Sequence, residues 1–214
     1  ATVYGDPVYL PLDENHPVDP VNPYGKTKAI VESMLDDLAK TNSSLENTDR
    51  WSICSLRYFN PIGCHNSGLV GDNPRGTPEN LMPFVTRVAS GTLPELTVFG
   101  GDYLTSDGTC IRDYIHVLDL ARGHCLALNF LDNNHGFSFF NLGSGYGFSV
   151  LELINAFEKA TGVRVPYKIG ARRRGDVPEC FASADKAKDQ LGWEPVMSLE
   201  EMCLSTWLNQ TKAN

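Results

Sequence analysis

The period of the apolar pattern switches repeatedly along this 214-residue chain, and that alternation is what most restricts its fold. Residues 24–40 carry Ile30, Val31, Met34, Leu35 and Leu38 at spacings of three and four, which makes one apolar helix face. Asn22-Pro23 ahead of them reads as an N-cap and a first helical residue. Trp51 to Tyr58 is a β-rich run of the kind that is buried in a parallel sheet. Helical patterns return at 79–91 (with Pro83 near the first turn), at 117–131, at 150–161 behind the capping box Ser149-x-x-Glu152, and near 184–191 and 199–211. Strand-like runs lie between them at Leu96–Phe99, Cys110–His116, Phe137–Asn141 and Val165–Ile169. Strands alternating with helices predict an α/β fold. Residues 5–23, 41–50 and 60–78 read as loops, and loops as long as the first and last are more often functional than accidental. Ala1-Thr2-Val3-Tyr4-Gly5 reads as the end of a buried strand, so the chain is expected to begin inside a fold.

Charge narrows the partners. A net charge of −8 and a pI near 5.1 argue against nucleic acid or an anionic membrane as the main ligand. No apolar stretch approaches the length of a membrane span. The six cysteines are scattered without a C-x-x-C, and the histidines are equally dispersed. They read as reduced thiols of a cytoplasmic protein with no metal site. In such a chain the Asn-x-Ser/Thr matches at Asn42 and Asn209 are chance occurrences.

Gly143-Ser-Gly145-Tyr-Gly147, between a strand and a helix, imitates a dinucleotide fingerprint. Its third glycine comes one position early, and residues 163–170 offer no acid at the matching place. It reads as a tight strand-to-helix turn instead.

Tyr24 and Lys28 stand four apart, one turn apart on one helix face. A phenol acting as a base near neutral pH needs a cation beside it, and an ammonium supplies one. With eight Tyr and eight Lys in the chain, roughly 0.3 such pairs arise by chance, so the spacing alone decides little.

The surroundings decide more. Ala-Thr-Val-Tyr-Gly, Asn-Pro-Tyr-Gly-Lys-Thr-Lys, Leu-Arg-Tyr-Phe-Asn-Pro, Arg112-Asp113-Tyr114-Ile115-His116-Val117 and Leu191-Gly192-Trp193-x-Pro195 together resemble the extended short-chain dehydrogenases/reductases that act on nucleotide sugars. The resemblance covers essentially the whole chain. Leu10-Pro-Leu-Asp-Glu, Asn80-Leu-Met-Pro and Val98-Phe-Gly-Gly-Asp-Tyr narrow it to the 4-epimerases of UDP-hexoses. It implies the C-terminal part of a Rossmann-like parallel sheet plus a smaller α/β substrate-binding domain. Residues 1–60, with returning segments near 97–141, would belong to the NAD-binding part, and 61–214 mainly to the UDP-sugar part. The glycine-rich G-x-x-G-x-x-G region would lie before residue 1.

The resemblance also assigns roles. Tyr24 would take the proton of the sugar 4-hydroxyl while NAD oxidises C4, and Lys28 would tune Tyr24 and hold the nicotinamide ribose. Tyr58 and Phe59 would approach the nicotinamide. Thr2 and Asn60 would meet the sugar or diphosphate, and Asn80 and Leu81 the diphosphate and uridine. Val98 and Phe99 would flank the uracil. Arg112 and Arg173 would pair with the diphosphate, Asp176 would bind ribose hydroxyls, and Cys180 would border the sugar. From the residues alone, Asn60 reads equally well as a turn residue, and Tyr58, Phe59, Val98 and the apolar helix face as plain core. Related dehydratases and decarboxylases place acids just before the Val-Tyr-Gly, where this chain has Ala1-Thr2. A Ser that shares the 4-hydroxyl proton would fall one position before Ala1. The expected activity is interconversion of UDP-glucose and UDP-galactose. With the small Cys180 at the sugar, UDP-GlcNAc and UDP-GalNAc are included, in a protein that is a homodimer at full length. The alternatives are a UDP-sugar-binding remnant without turnover and an interaction protein on the same fold.

Overall fold

The structure, a computed structural model, describes residues 1–41, 50–72, 76, 78 and 80–212. The sequon at Asn42 lies outside them. The elements are α1 (Pro23–Thr41), β1 (Ser52–Tyr58), β2 (Asn60–Ile62), α2 (Leu81–Ala89), β3 (Leu96–Phe99), β4 (Ile111–Arg112), β5 (Tyr114–His116) and α3 (Val117–Leu131). After them come β6 (Gly136–Leu142), β7 (Phe148–Ser149), α4 (Val150–Thr161), β8 (Tyr167–Gly170), β9 (Glu179–Cys180), α5 (Asp185–Leu191) and α6 (Leu199–Lys212).

One half is built on β1 and β6, paired in parallel from Ser52↔Gly136 to Tyr58↔Leu142. Alternation along β1 sends Ser55 and Arg57 toward α1, where both reach Glu32. The opposite face sends Cys54 and Leu56 into a core with Leu120, Ala127, Phe140, Leu142, Ala187 and Trp193 beneath α3 and α5. Helices on both faces of a parallel pair are the layering that the alternating pattern predicts. The second half packs α2, α4 and α6 with β3 around Val85, Val98, Leu153, Phe157 and Met202. The parallel pairs β2–β5 and β3–β8 and the mixed order β7–β4–β9 complete it.

Three strands escape the sequence pattern, because runs of two or three residues (β2, β7, β9) carry no readable period. The predicted strand Cys110–His116 is two strands. At Asp113 the chain changes neighbours, from β7 and β9 to β2. Strand β8 starts at Tyr167, later than Val165, just after a proline that has no N–H to pair. Trp51 stays outside β1 and is half exposed. The capping box at Ser149 is complete, with Glu152 N–H donating to Ser149 Oγ and Ser149 N–H to Glu152 Oε2.

The turn at 143–147 has its own internal anion. The fully buried Asp113 carboxylate accepts from Ser144 N–H and Oγ (both 2.6 Å) and from the N–H groups of Gly145 and Ala182 (both 3.1 Å). Burial pushes this carboxyl up, and the four donors pull against that. A Cβ on Gly143 would lie 2.5 Å from Asp113 Oδ2, so glycine is needed for the close approach. Amides that a phosphate would use are therefore already engaged.

Candidate active site

Both halves open onto one cleft of about 840 Å³. Its lining includes Thr2, Tyr24, Lys28, Tyr58, Phe59, Asn60, Asn80, Leu81, Val98, Phe99, Arg112, Arg173, Asp176 and Cys180, the whole set drawn from the sequence.

Helix α1 supplies the first wall. Asn22 caps it, its Oδ1 accepting from Gly25 N–H at 2.7 Å. Gly25 is where the helix meets residues 1–4. A Cβ there would lie 2.7 Å from Thr2 O and 2.8 Å from Pro20 Cβ. This contact brings the first turn of α1, with Tyr24, against Thr2. Lys28 Nζ lies 5.3 Å from the Tyr24 ring centroid, within cation–π range. Among the described residues no carboxylate forms an ion pair with Lys28. Tyr24 is 63% exposed, so its hydroxyl is open to an incoming group.

The end of β1 supplies the floor. Tyr58 hydrogen-bonds through its hydroxyl to His124 Nε2 at 2.6 Å, while His124 Nδ1 lies 2.8 Å from Leu120 O. These two contacts put the imidazole proton on Nδ1 and make Tyr58 the donor. Phe59 is 7% exposed and packs with Val3, Tyr4 and Leu12, so most of its ring is core. Asn60 begins β2 with its N–H on Asp113 O.

The far wall is cationic. Arg173 donates to Asp176 (Nη2 to Oδ1, 2.9 Å), and Arg112 Nη2 lies 3.9 Å from the same oxygen. Two guanidiniums share one carboxylate, which leaves a positive excess facing the cleft and donors suited to a diphosphate. Asp176 thus acts as the counter-ion of both arginines. Arg172 turns away, its Nε donating to Asp102 at 2.7 Å and its guanidinium over Tyr103, so of this neighbouring pair only Arg173 lines the cleft. Asn80 N-caps α2 with an extended backbone and no side-chain bond to the helix. Asn80, Leu81 and Met82 line the cleft at the N-terminus of α2, where the N–H groups of Leu81 and Met82, though not Pro83, suit an anion. Val98 is fully in the core, whereas Phe99 is exposed beneath Arg173, 5.6 Å from its guanidinium. Cys180 is half-buried on β9 beside Arg112, and burial pushes its thiol up.

Sequence reading missed Glu32, Ser55 and Arg57, which also line the cleft. Glu32 had a signal: it stands four beyond Lys28 and eight beyond Tyr24 on the same helix stripe. Among the described residues no cluster of potential metal ligands is present, and no helix is long and apolar enough to cross a membrane.

The parallel α/β fold, with its Tyr/Lys helix and arginine-lined cleft, agrees with the family that the sequence matches. Residues 1–206 match the family described as GDP-mannose 4,6 dehydratase, and the chain belongs to that family. Its relatives carry a more particular name. A Bacillus subtilis protein named UDP-glucose 4-epimerase is 51% identical over 207 residues, 97% of this chain and 59% of its own length. The UDP-glucose 4-epimerase of Stenotrophomonas maltophila, solved with NAD and formylated UDP-arabinopyranose, superposes with a TM-score of 0.94 at 50% identity, covering 100% of this chain and 62% of that one. The Bifidobacterium longum enzyme of the same name, solved with NAD+ and UDP, gives 0.92 at 47% identity, over 99% and 62%. The chain therefore spans about three-fifths of the length of the relatives it matches.

Proposed function

We propose that the protein to which these 214 residues belong interconverts UDP-glucose and UDP-galactose by oxidation and reduction at C4 of the sugar. The observation that carries this is the convergence of Tyr24 with Lys28 on one wall of the cleft and Arg112 with Arg173 on the other. The relatives named UDP-glucose 4-epimerase support it.

The residues fit NAD as the cofactor, since the Lys28 ammonium, with no ion-pair partner among the described residues, and an open phenol (Tyr24) stand together beside Tyr58. NAD, when bound, supplies the two-electron acceptor and donor for C4. The rest falls to the chain. Arg112, Arg173 and the N-terminus of α2 hold the diphosphate, and Phe99 offers a face to the base. Tyr24 takes the 4-hydroxyl proton as C4 is oxidised and gives it back on return. The anchored diphosphate leaves the hexose free to present either face between the two steps. The family description names a dehydratase, whose elimination of water calls for an acid near the sugar. Ala1-Thr2 offers none at the point where Thr2 meets the cleft.

We extend the proposal to N-acetylhexosamines, because the small Cys180 leaves room where a ring would fill the pocket, and such a contact is worth only about 1–3 kcal/mol of discrimination. The exposed stripe Ile30, Met34 and Leu38 on α1 supports a homodimer of the whole protein, acting in the cytoplasm. The fold supports an NAD-side part carrying β1 and β6 and a UDP-sugar part carrying α2, α4 and α6.

A second reading is UDP-sugar binding without turnover by these residues alone. It is favoured by the 143–147 turn, whose amides serve Asp113 rather than a cofactor phosphate. Paired incubations separate the readings: the full-length protein and the 214-residue chain are each given UDP-galactose and NAD, and the products are resolved. UDP-glucose supports epimerisation. A 4-keto-6-deoxy sugar overturns it in favour of dehydration, and binding with no product by the 214-residue chain supports the second reading. Parallel incubation with UDP-GalNAc tests the extension, which fails if no UDP-GlcNAc forms.

A further inference from the structure

Tyr24, Lys28 and Glu32 stand at i, i+4 and i+8 of α1, on one stripe. The Glu32 carboxylate accepts from Arg57 Nε at 3.0 Å and Nη2 at 2.6 Å, and from Ser55 Oγ at 3.0 Å. Arg57 is fixed on its remaining sides too. Its Nη1 donates to the Tyr4 hydroxyl at 2.9 Å, and its guanidinium carbon lies 4.3 Å from the Phe139 ring centroid and 4.9 Å from that of Tyr4. Tyr4 in turn donates to Asn141 Oδ1 at 2.6 Å, and Asn141 Nδ2 donates to Leu12 O. Arg57 and Tyr4 are 6% and 1% exposed.

Apolar packing does little to set the rotation of α1. Among its described residues only Gly25 and Ala39 are buried, Ala29 and Leu35 are half-buried, and Ile30, Val31 and Met34 are exposed. Beside the Gly25 contact, the fork of Arg57 against Glu32 is a buried tie on α1, and its planar, two-point geometry resists rotation as a single contact would not. A helix turns about 100° per residue, so a small rotation carries Tyr24 and Lys28 off the cleft together.

We propose that the Glu32–Arg57 pair is the positioning device of the site. It locks α1 so that Tyr24 and Lys28 face the cleft, and through Tyr4 it holds the segment bearing Ala1 and Thr2 on the same wall. Glu32 and Arg57 act through these neighbours and take no part in proton transfer. The functional consequence rests on the C4 chemistry proposed above, where a misplacement of about 1 Å can cost on the order of a hundredfold in rate.

The test uses the full-length protein with Glu32→Gln, Arg57→Lys and the double variant, chosen as conservative so that each folds. The expected result is a fall in kcat of about ten- to a hundredfold, with KM for UDP-galactose changed less than about threefold, since the diphosphate contacts lie on other elements. The double variant is no slower than the worse single one, because each removes the same tie. Amide hydrogen exchange quickens across residues 23–32 and is unchanged across α2. An unaltered kcat in an active protein overturns the inference, as does exchange that rises uniformly over the molecule. If the wild-type protein has no turnover, the proposed function fails on its own. The exchange arm then decides: unchanged protection of α1 in Glu32→Gln overturns the positioning role.

Discussion

Arg112, on β4, and Arg173, in the loop before β9, reach one carboxylate, and Asp176 keeps them aimed. In the proposed function both hold the diphosphate equally in ground and transition states, which sets the expected phenotype of Arg173→Ala. KM for the UDP-sugar rises about ten- to a hundredfold, the worth of one charge-assisted hydrogen bond, while kcat changes little. Steady-state kinetics of the full-length protein check this, and a fall in kcat at constant KM would count against it. Individual residues were the most legible level in the sequence, because the motifs carry side chains in fixed spacings. Tyr24, Lys28, Arg112 and Arg173 all line the cleft where the motifs led. Less legible was how each is spent. Phe59 and Val98 are largely core, and Asp176 serves the arginines, since partners distant in the chain settle such matters.

At the scale of elements, α1 depends on a glycine and an ion pair more than on its apolar face. Gly25→Ala forces a Cβ to within 2.7 Å of a backbone oxygen, so the helix must move off residues 1–4. The prediction is a loss of about 1–3 kcal/mol in denaturant unfolding, with reduced turnover. Unaltered stability would show that the segment yields freely. The Glu32–Arg57 pair also makes a pH prediction. Burial alone would raise the Glu32 carboxyl, but Arg57 and Ser55 bring it below the ordinary carboxylate range. A group depressed in the folded state stabilises above its unfolded value, about 4.3 for Glu, and that contribution fades as pH falls through the folded value. Thermal midpoints should therefore drop below about pH 4, and drop less in Glu32→Gln, where the linkage is gone. Equal slopes in the two proteins would contradict this. Element boundaries followed the sequence where caps were explicit, as at Asn22 and Ser149. They were lost at Asp113, where a buried side chain, invisible to periodicity, lets the strand change sheets.

At the scale of the molecule, two cores meet at a cleft, and one long helix carries an apolar stripe that the described residues leave uncovered. If that stripe forms the dimer, introducing Ile30→Glu with Met34→Glu converts the full-length protein to monomers in light scattering and leaves the cleft intact. A dimer that persists in this variant would place the interface elsewhere. The parallel α/β character was readable from alternation alone. The division of segments between the two cores was not, since α5 returns to the β1–β6 half across a long sequence gap. The central claim is that a proton leaves the 4-hydroxyl while a hydride leaves C4, and that both return. UDP-galactose deuterated at C4, turned over by the full-length protein in ordinary water, tests it most directly. The account predicts UDP-glucose with the deuterium still at C4 and no product from Tyr24→Phe above about 10⁻² to 10⁻⁴ of the wild-type rate. Label lost to solvent, or full activity in Tyr24→Phe, would contradict it.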